Sequence, residues 1–273
     1  MMKEQFILRH ADNGVWYGIF SHFEAHGLIH GISTRLHGYS TSPFNSLNLG
    51  LHTGDTRETV LRNRSLFAAA IGINPEAVVT AQQVHEDTIT IVSADDRGSG
   101  AKDYSRAFSS TDALATIEPG VPLMLFYADC VPVLFFDPVR RVTAISHAGW
   151  KGTVSRIAAK TLTKLQAEFN VNPKDCLIGI GPSIGQCCYE VDQTVINRLQ
   201  QEFTNTWSNF TLPKNNRWQF DLWELNRRQL LEVGASEDNI VVSSICTSCN
   251  TQLYYSHRAE HGATGRLAAV VQL

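Results

Sequence analysis

The chain has 273 residues, of which 43% are hydrophobic and 18% charged, and its formal net charge is −3. That length supports a substantial core, and the slightly acidic balance argues against a nucleic-acid binder, which would carry a basic stripe. No apolar run reaches the roughly 20 residues that span a bilayer, and the start, MMKEQFILRHADNG, has no signal-peptide core. The expectation is a cytoplasmic protein without a membrane partner.

Residues 15–33 read as short strands around a turn at Ala25-His26-Gly27. His22, His26 and His30 recur every four residues, but the order HFEAH is not HExxH and a glycine intervenes, so strand or surface histidines are expected. The next stretch, TRLHGYSTSPFNSLNLGLHTGD, is a long polar loop with Phe44, Leu47 and Leu49 set into it. Loops of that length in compact domains are usually functional or disordered, and the interleaved apolar residues suggest packing, which favours function. Asn48, between two leucines, either faces a pocket as a substrate contact or caps a local turn. A helix follows from Thr56 as N-cap to Ile71, with Gly72 as its stop. It carries Arg64, which, like the distant Arg258, could hold a phosphate through paired hydrogen bonds.

Val78–Gln83 and Thr88–Val92 look like strands on either side of His85. In VPLMLFYADCVPVLFFDP two apolar runs flank a tight turn at Ala128–Pro132, which reads as an apolar hairpin with Asp129 and Cys130 at its bend. The strand Val142–Ser146 ends at His147, and Gly149 and Gly152 beyond it permit a close backbone approach. Val154, Ile157, Ala158, Leu162, Leu165 and Phe169 form one helical stripe over Thr153–Phe169. Cys176–Ile180 is a strand, Asp192–Phe203 and Leu222–Val233 are helices, and Ile240–Ile245 and Leu267–Val271 are late strands. Strands outnumber helices and do not alternate with them. The expected fold is therefore α+β with a mixed sheet, one domain over residues 1–273.

Six cysteines in a reducing compartment are free thiols unless chemistry claims them. Cys176 belongs to a buried strand. Cys187-Cys188 has no partners at ligand spacing, and Cys246-Thr-Ser-Cys249 lacks the second half of a structural site. The segment GIGPSIG has Pro182 at its centre, so it reads as a strand-end turn lining a pocket and not as a dinucleotide loop. His85, Cys130 and His147 sit at the ends of rigid elements. They could fill three positions of a tetrahedral zinc and leave the fourth for water or substrate. Alternatively, Cys130 is a nucleophile and His147 its base. Asp129, Glu86 and Asp87 are the carboxylates close to this set in sequence.

Taken together, GISTRLHGYSTSPFNSLNLGLHTGD, QQVH, DALAT through FYADCVPVLFFDP, ISHAGWKGT, IGPSIGQCCYEV and SHRAEHGATGRLAAVV resemble the family labelled multicopper polyphenol oxidase or laccase-domain proteins. The blocks follow the family's order along nearly the whole chain. The resemblance implies a catalytic zinc on His85, Cys130 and His147, with copper as the alternative metal. It implies phosphorolysis of adenosine, inosine, guanosine and methylthioadenosine, and deamination of adenosine. Purine nucleosides and inorganic phosphate would be the partners of a monomer or small homo-oligomer. It also implies a fold like the YfiH-like cysteine hydrolases and the catalytic domain of cytotoxic necrotizing factor, a Cys–His deamidase. That likeness carries a second expectation, amide hydrolysis at Cys130 on a cell-wall peptide precursor. Copper-dependent phenol oxidation is a third, although no two histidines of the chain are separated by a single residue.

Overall fold

The run Val131–Asp137 is apolar at nearly every position because both its faces are covered. In the computed structural model, which describes residues 5–273, this strand lies inside a six-stranded mixed sheet. The order across that sheet is Ile240–Val242, Leu177–Ile180, Val131–Asp137, Val142–Ala148, Ala113–Thr116 and Ile89–Ile91. The two outermost pairs are parallel and the inner ones antiparallel. Val131, Val133 and Phe135 point to one face, against Ile157, Leu162 and Leu165 of the helix Ile157–Phe169 and Leu225 and Leu230 of the helix Leu222–Glu232. Leu134 and Phe136 point to the other face, against a second sheet.

That second sheet is five-stranded and antiparallel, in the order Phe6–His10, Trp16–Phe20, Ile29–Ser33, Leu267–Gln272 and Leu123–Tyr127. Its inner face contributes Phe20, Ile32, Leu123, Leu125 and Val271. Its outer face, with Met124, Phe126 and Val270, is covered by Phe67 of the helix Arg57–Ile71 and by Leu47 and Leu49 of the polar loop. The result is four layers: helix and loop, sheet, sheet, helices. A small sheet of Glu190–Val191, Arg217–Phe220 and Thr211–Lys214 lies beside these layers, its Val191 and Phe220 packed into the core under the helices. The mixed α+β expectation holds, and no helix among the described residues is long and apolar enough to cross a membrane.

Several expectations need correction. The two runs around Cys130 are not a hairpin: Leu123–Tyr127 pairs with Leu267–Gln272, whereas Val131–Asp137 pairs with Val142–Ala148. Both runs are buried on both faces, but Val131–Asp137 lies inside the six-stranded sheet whereas Leu123–Tyr127 ends the five-stranded one, and the turn between them crosses from one sheet to the other. Val78–Gln83 makes only isolated bridges, at Val79 and Ala81. There the Gln83 side chain replaces backbone pairing, donating to the Phe126 carbonyl and accepting from the Phe126 amide. The helix expected over Thr153–Phe169 is two, Trp150–Val154 and Ile157–Phe169, broken at Arg156 with φ +65°. The interruption is stabilised from outside, because Gln229 donates to the Thr153 carbonyl and Asn226 to the Thr153 hydroxyl. Gly72 ends the helix Arg57–Ile71 in the left-handed conformation, as expected, but the Thr56 side chain bonds Thr59 and caps no amide.

The two sheets approach closely where Phe20 lies over Gly179, whose missing Cβ would stand 2.5 Å from that ring. Gly179→Ala should therefore destabilise by about 1–3 kcal/mol, as overpacking of a filled core does. Urea unfolding checks this, and an unchanged midpoint would mean that the sheets are looser here than described.

Candidate metal centre

Strand register builds the site. Pro132 pairs with His147, and Ala113 pairs with Ser146. Cys130, His147 and Asp112 therefore lie at the same end of three adjacent strands. His85 arrives from outside the sheet, on the segment after Gln83. The ligand atoms of His85, Cys130 and His147 lie within 4.8 Å of one another, and the two imidazole centroids are 4.8 Å apart. The structure thus brings together three residues separated by as many as 62 positions (from 85 to 147).

Asp112 holds both histidines, and sequence reasoning missed it. Its Oδ1 is 2.8 Å from His147 Nδ1, and the same carboxylate accepts from the amides of Val84, His85 and Glu86 at 2.9–3.0 Å. Three consecutive amides converge on one anion only where the backbone turns into a concave nest. His85 supplies that turn, with φ +66°. Because Nδ1 of His147 faces Asp112, Nε2 is the nitrogen left for the Cys130 side. A signal for Asp112 was present, as the only carboxylate immediately preceding an internal strand of small apolar residues, DALAT.

Burial by itself raises a thiol pKa, but the His147 charge and hydrogen bonds from His147 and His85 hold Cys130 down at about 6. For His147 burial acts downward, and the Cys130 charge and the Asp112 bond outweigh it, lifting the ring to about 9. Without a metal the pair is thus a thiolate beside an imidazolium. The fit of a metal rests on the donors themselves. One sulfur and two imidazole nitrogens suit zinc in an open three-ligand site. Gly149 also leaves the needed room: a Cβ there would stand 3.0 Å from Cys130 Sγ and 3.2 Å from the His85 ring.

The site opens into a cavity of about 450 Å³ lined by His52, Tyr104, Phe126, Tyr189, His257, Arg258 and Arg266 among others. A second cavity of about 620 Å³, lined by Glu86, Asp87, Lys151 and Arg198, shares His85 and Trp150 with it. Of the predicted substrate contacts, Arg258 lines the first cavity, its Nη1 donating to the Glu190 carbonyl. Arg64 and Asn48 are not among its lining residues. Arg64 is buried and donates to the carbonyls of Leu49, Gly100 and Ala101, which fixes the polar loop to the rest of the chain. Asn48 bonds Thr53 and Asp55 and accepts from the Arg266 amide, closing the loop on itself and on the strand end. That loop does reach the cavity, through His52, which no local pattern singled out. Asp129, one of the carboxylates near the set, is fully bonded to Thr247, Ser256 and the Arg258 amide and holds the turn at φ +81°. Asp87 pairs with Lys160, and Glu86 faces the second cavity.

Cys187 and Cys188 also require correction. Their partners are Cys246 and Cys249, about 60 residues away, and the four sulfurs lie within 4.8 Å of one another. Local spacing could not show this, because the two pairs meet only when their loops pack.

Fold and site together define an α+β protein with a soft donor triad, braced by a buried carboxylate, at the floor of a cavity. The chain belongs to the family described as multi-copper polyphenol oxidoreductase laccase, whose profile matches residues 29–273. It is 41% identical over 249 residues to a purine nucleoside phosphorylase YlmD of Geobacillus stearothermophilus, covering 90% of each chain. It is 37% identical to the protein of that name in Bacillus subtilis, covering 89% and 88%. Among solved structures, the hypothetical protein YfiH of Bacillus licheniformis superposes with a TM-score of 0.92 at 38% identity, covering 97% of this chain and 98% of that one.

Asp112→Asn should lower metal affinity about 10–100-fold, as loss of an outer carboxylate does. In metal-free protein, iodoacetamide alkylation of Cys130 should be half-maximal near pH 6. The same substitution should move that midpoint upward, because a less basic His147 stabilises the thiolate less. An unchanged midpoint would show that Asp112 does not govern the pair.

Proposed function

We propose that this protein is a zinc-dependent purine nucleoside phosphorylase that also deaminates adenosine. The observation that carries the reading is the placement of His85, Cys130 and His147 in one cavity with Arg258 and Arg266. The names of the relatives support the nucleoside chemistry. A zinc ion held by the three side chains would supply a Lewis acid and lower the pKa of an adjacent water.

The chain's own residues account for binding. Tyr104 and Tyr189 offer flat surfaces to a purine. Arg258 and Arg266 each engage backbone carbonyls through Nη1, which fixes the guanidinium groups where a phosphate can be held. Burial and the nearby Arg266 and Arg64 push His52 down to about 4, so its ring is neutral and can give one hydrogen bond and accept another. In phosphorolysis, a phosphate oxygen bonds to ribose C1′ as the C1′–N9 bond breaks. The electron pair and a proton end on the base, giving free purine and the 1-phosphate of the sugar, which keeps its 5′ methylthio group where the substrate carries one. In deamination, water oxygen replaces the amino group at C6 and ammonia leaves. Adenosine, inosine, guanosine and methylthioadenosine are the substrates we assign to the first reaction.

A second reading, amide hydrolysis at Cys130, is favoured by one feature. Cys130, His147 and Asp112 stand in the order of nucleophile, base and orienting carboxylate. Copper is the metal in the family's description, and one Cys with two His is also a copper donor set.

Chromatography of adenosine incubated with the protein decides among these. Adenine should form only when phosphate is present, inosine with or without it, and Cys130→Ala should lower both by more than about 100-fold, beyond an outer-shell loss. Chelation should abolish both activities, and protein purified without added copper should contain zinc. Turnover that survives chelation, with an electrophile trapped on Cys130, would replace this reading with the hydrolase. Tightly bound copper with an intense blue absorption would replace it with the oxidase.

A further inference from the structure

Cys187, Cys188, Cys246 and Cys249 converge on one point outside the cavity, and neither reaction above uses them. Their sulfurs are separated by 3.8 Å between Cys187 and Cys188, 3.6 Å between Cys187 and Cys249, and 3.3 Å between Cys188 and Cys249. A tetrahedral tetrathiolate with metal–sulfur bonds of about 2.3 Å has sulfur–sulfur edges of about 3.8 Å. The Gly185 amide donates to Cys246 Sγ at 3.2 Å, the kind of outer contact that steadies a thiolate ligand. The same glycine lets the Trp223 ring and the cysteine segment pack closely: its missing Cβ would stand 2.9 Å from Trp223 and 3.2 Å from Cys246 Cβ. Cys187 and Cys249 are exposed, Cys188 is half-buried and Cys246 is buried. Exposed thiols gathered this closely gain little from hydrophobic burial, whereas a shared cation explains all four positions.

We propose that these cysteines form a second, structural site for a soft divalent cation, zinc, coordinated by four thiolates with no open position. Its place in the fold gives it a task. Cys187 and Cys188 sit between Ile184 and Tyr189, which line the cavity, and Cys246 and Cys249 precede His257 and Arg258, which line its opposite part. Backbone bonds already bring the two segments together, from Ser183 to the Ile245 carbonyl and from Thr247 to the Ser183 carbonyl. The cation staples these segments and so fixes Tyr189 and Arg258 relative to each other. Binding exchanges up to four thiol protons for one cation, with no change of oxidation state.

Metal content of protein prepared under reducing conditions tests the assignment. The intact chain should hold two zinc equivalents, and the double variant Cys246→Ser/Cys249→Ser should hold one. Cys130→Ala, which leaves the four thiols in place, should also hold one. Cobalt added to metal-free Cys130→Ala should then produce the intense visible bands of a tetrahedral cobalt tetrathiolate. This titration stands even where the double variant fails to fold. No zinc retained by Cys130→Ala, no tetrathiolate bands on adding cobalt, or an intact mass lowered by the hydrogens lost in a disulfide would each overturn the proposal. These outcomes do not depend on adenosine turnover, so they are read separately from the function proposed for the triad.

Discussion

The Asp112 carboxylate is the constraint on which the site depends. It is wholly buried, and it accepts from three consecutive amides and from the His147 ring. A buried carboxylate left without partners is costly, so these four bonds hold together as a unit. They determine which nitrogen of His147 faces Cys130 and where the backbone of His85 stands. Cys130 is fixed separately, by the first residue pairs of the strand Val131–Asp137. The triad therefore rests on strand register and one anion, and none of its members depends on a long flexible loop.

A second buried anion does comparable work on the cavity wall. Asp129 lies where the chain crosses from one sheet to the other, and it bonds Thr247, Ser256 and the Arg258 amide. The Asp129 carbonyl also accepts from the Ile184 amide. One residue thus connects the turn bearing Cys130 to both segments that carry the four clustered cysteines. Asp112 organises the floor of the cavity and Asp129 its side.

Much of the architecture was legible in the residues. Apolar runs such as VPVLFFD mark strands covered on both faces, and the stripe over Ile157–Phe169 marks a helix lying on a sheet. Pairing was not legible, because the turn Ala128–Cys130 is as short as a hairpin bend and yet joins two sheets. In sequence, Arg64 reads as a phosphate contact because a guanidinium forms paired hydrogen bonds, and Asn48 either as a pocket contact or as the cap of a local turn. In the fold Arg64 donates to backbone carbonyls brought near by packing, whereas Asn48 caps a local turn, its Oδ1 accepting from the Gly50 amide.

By itself the sequence determined the residue types at strand ends, since strand identity follows from local alternation and burial demand, and these placed His147 and Cys130 on rigid supports. It also determined membership of a family through blocks spread along the chain. Only the tertiary structure decided that Asp112 braces the triad, that His52 and Arg266 face the cavity, and that two distant cysteine pairs meet. The physical reason is that register and sheet stacking set distances between residues remote in sequence, and those are fixed by the packing of the whole chain.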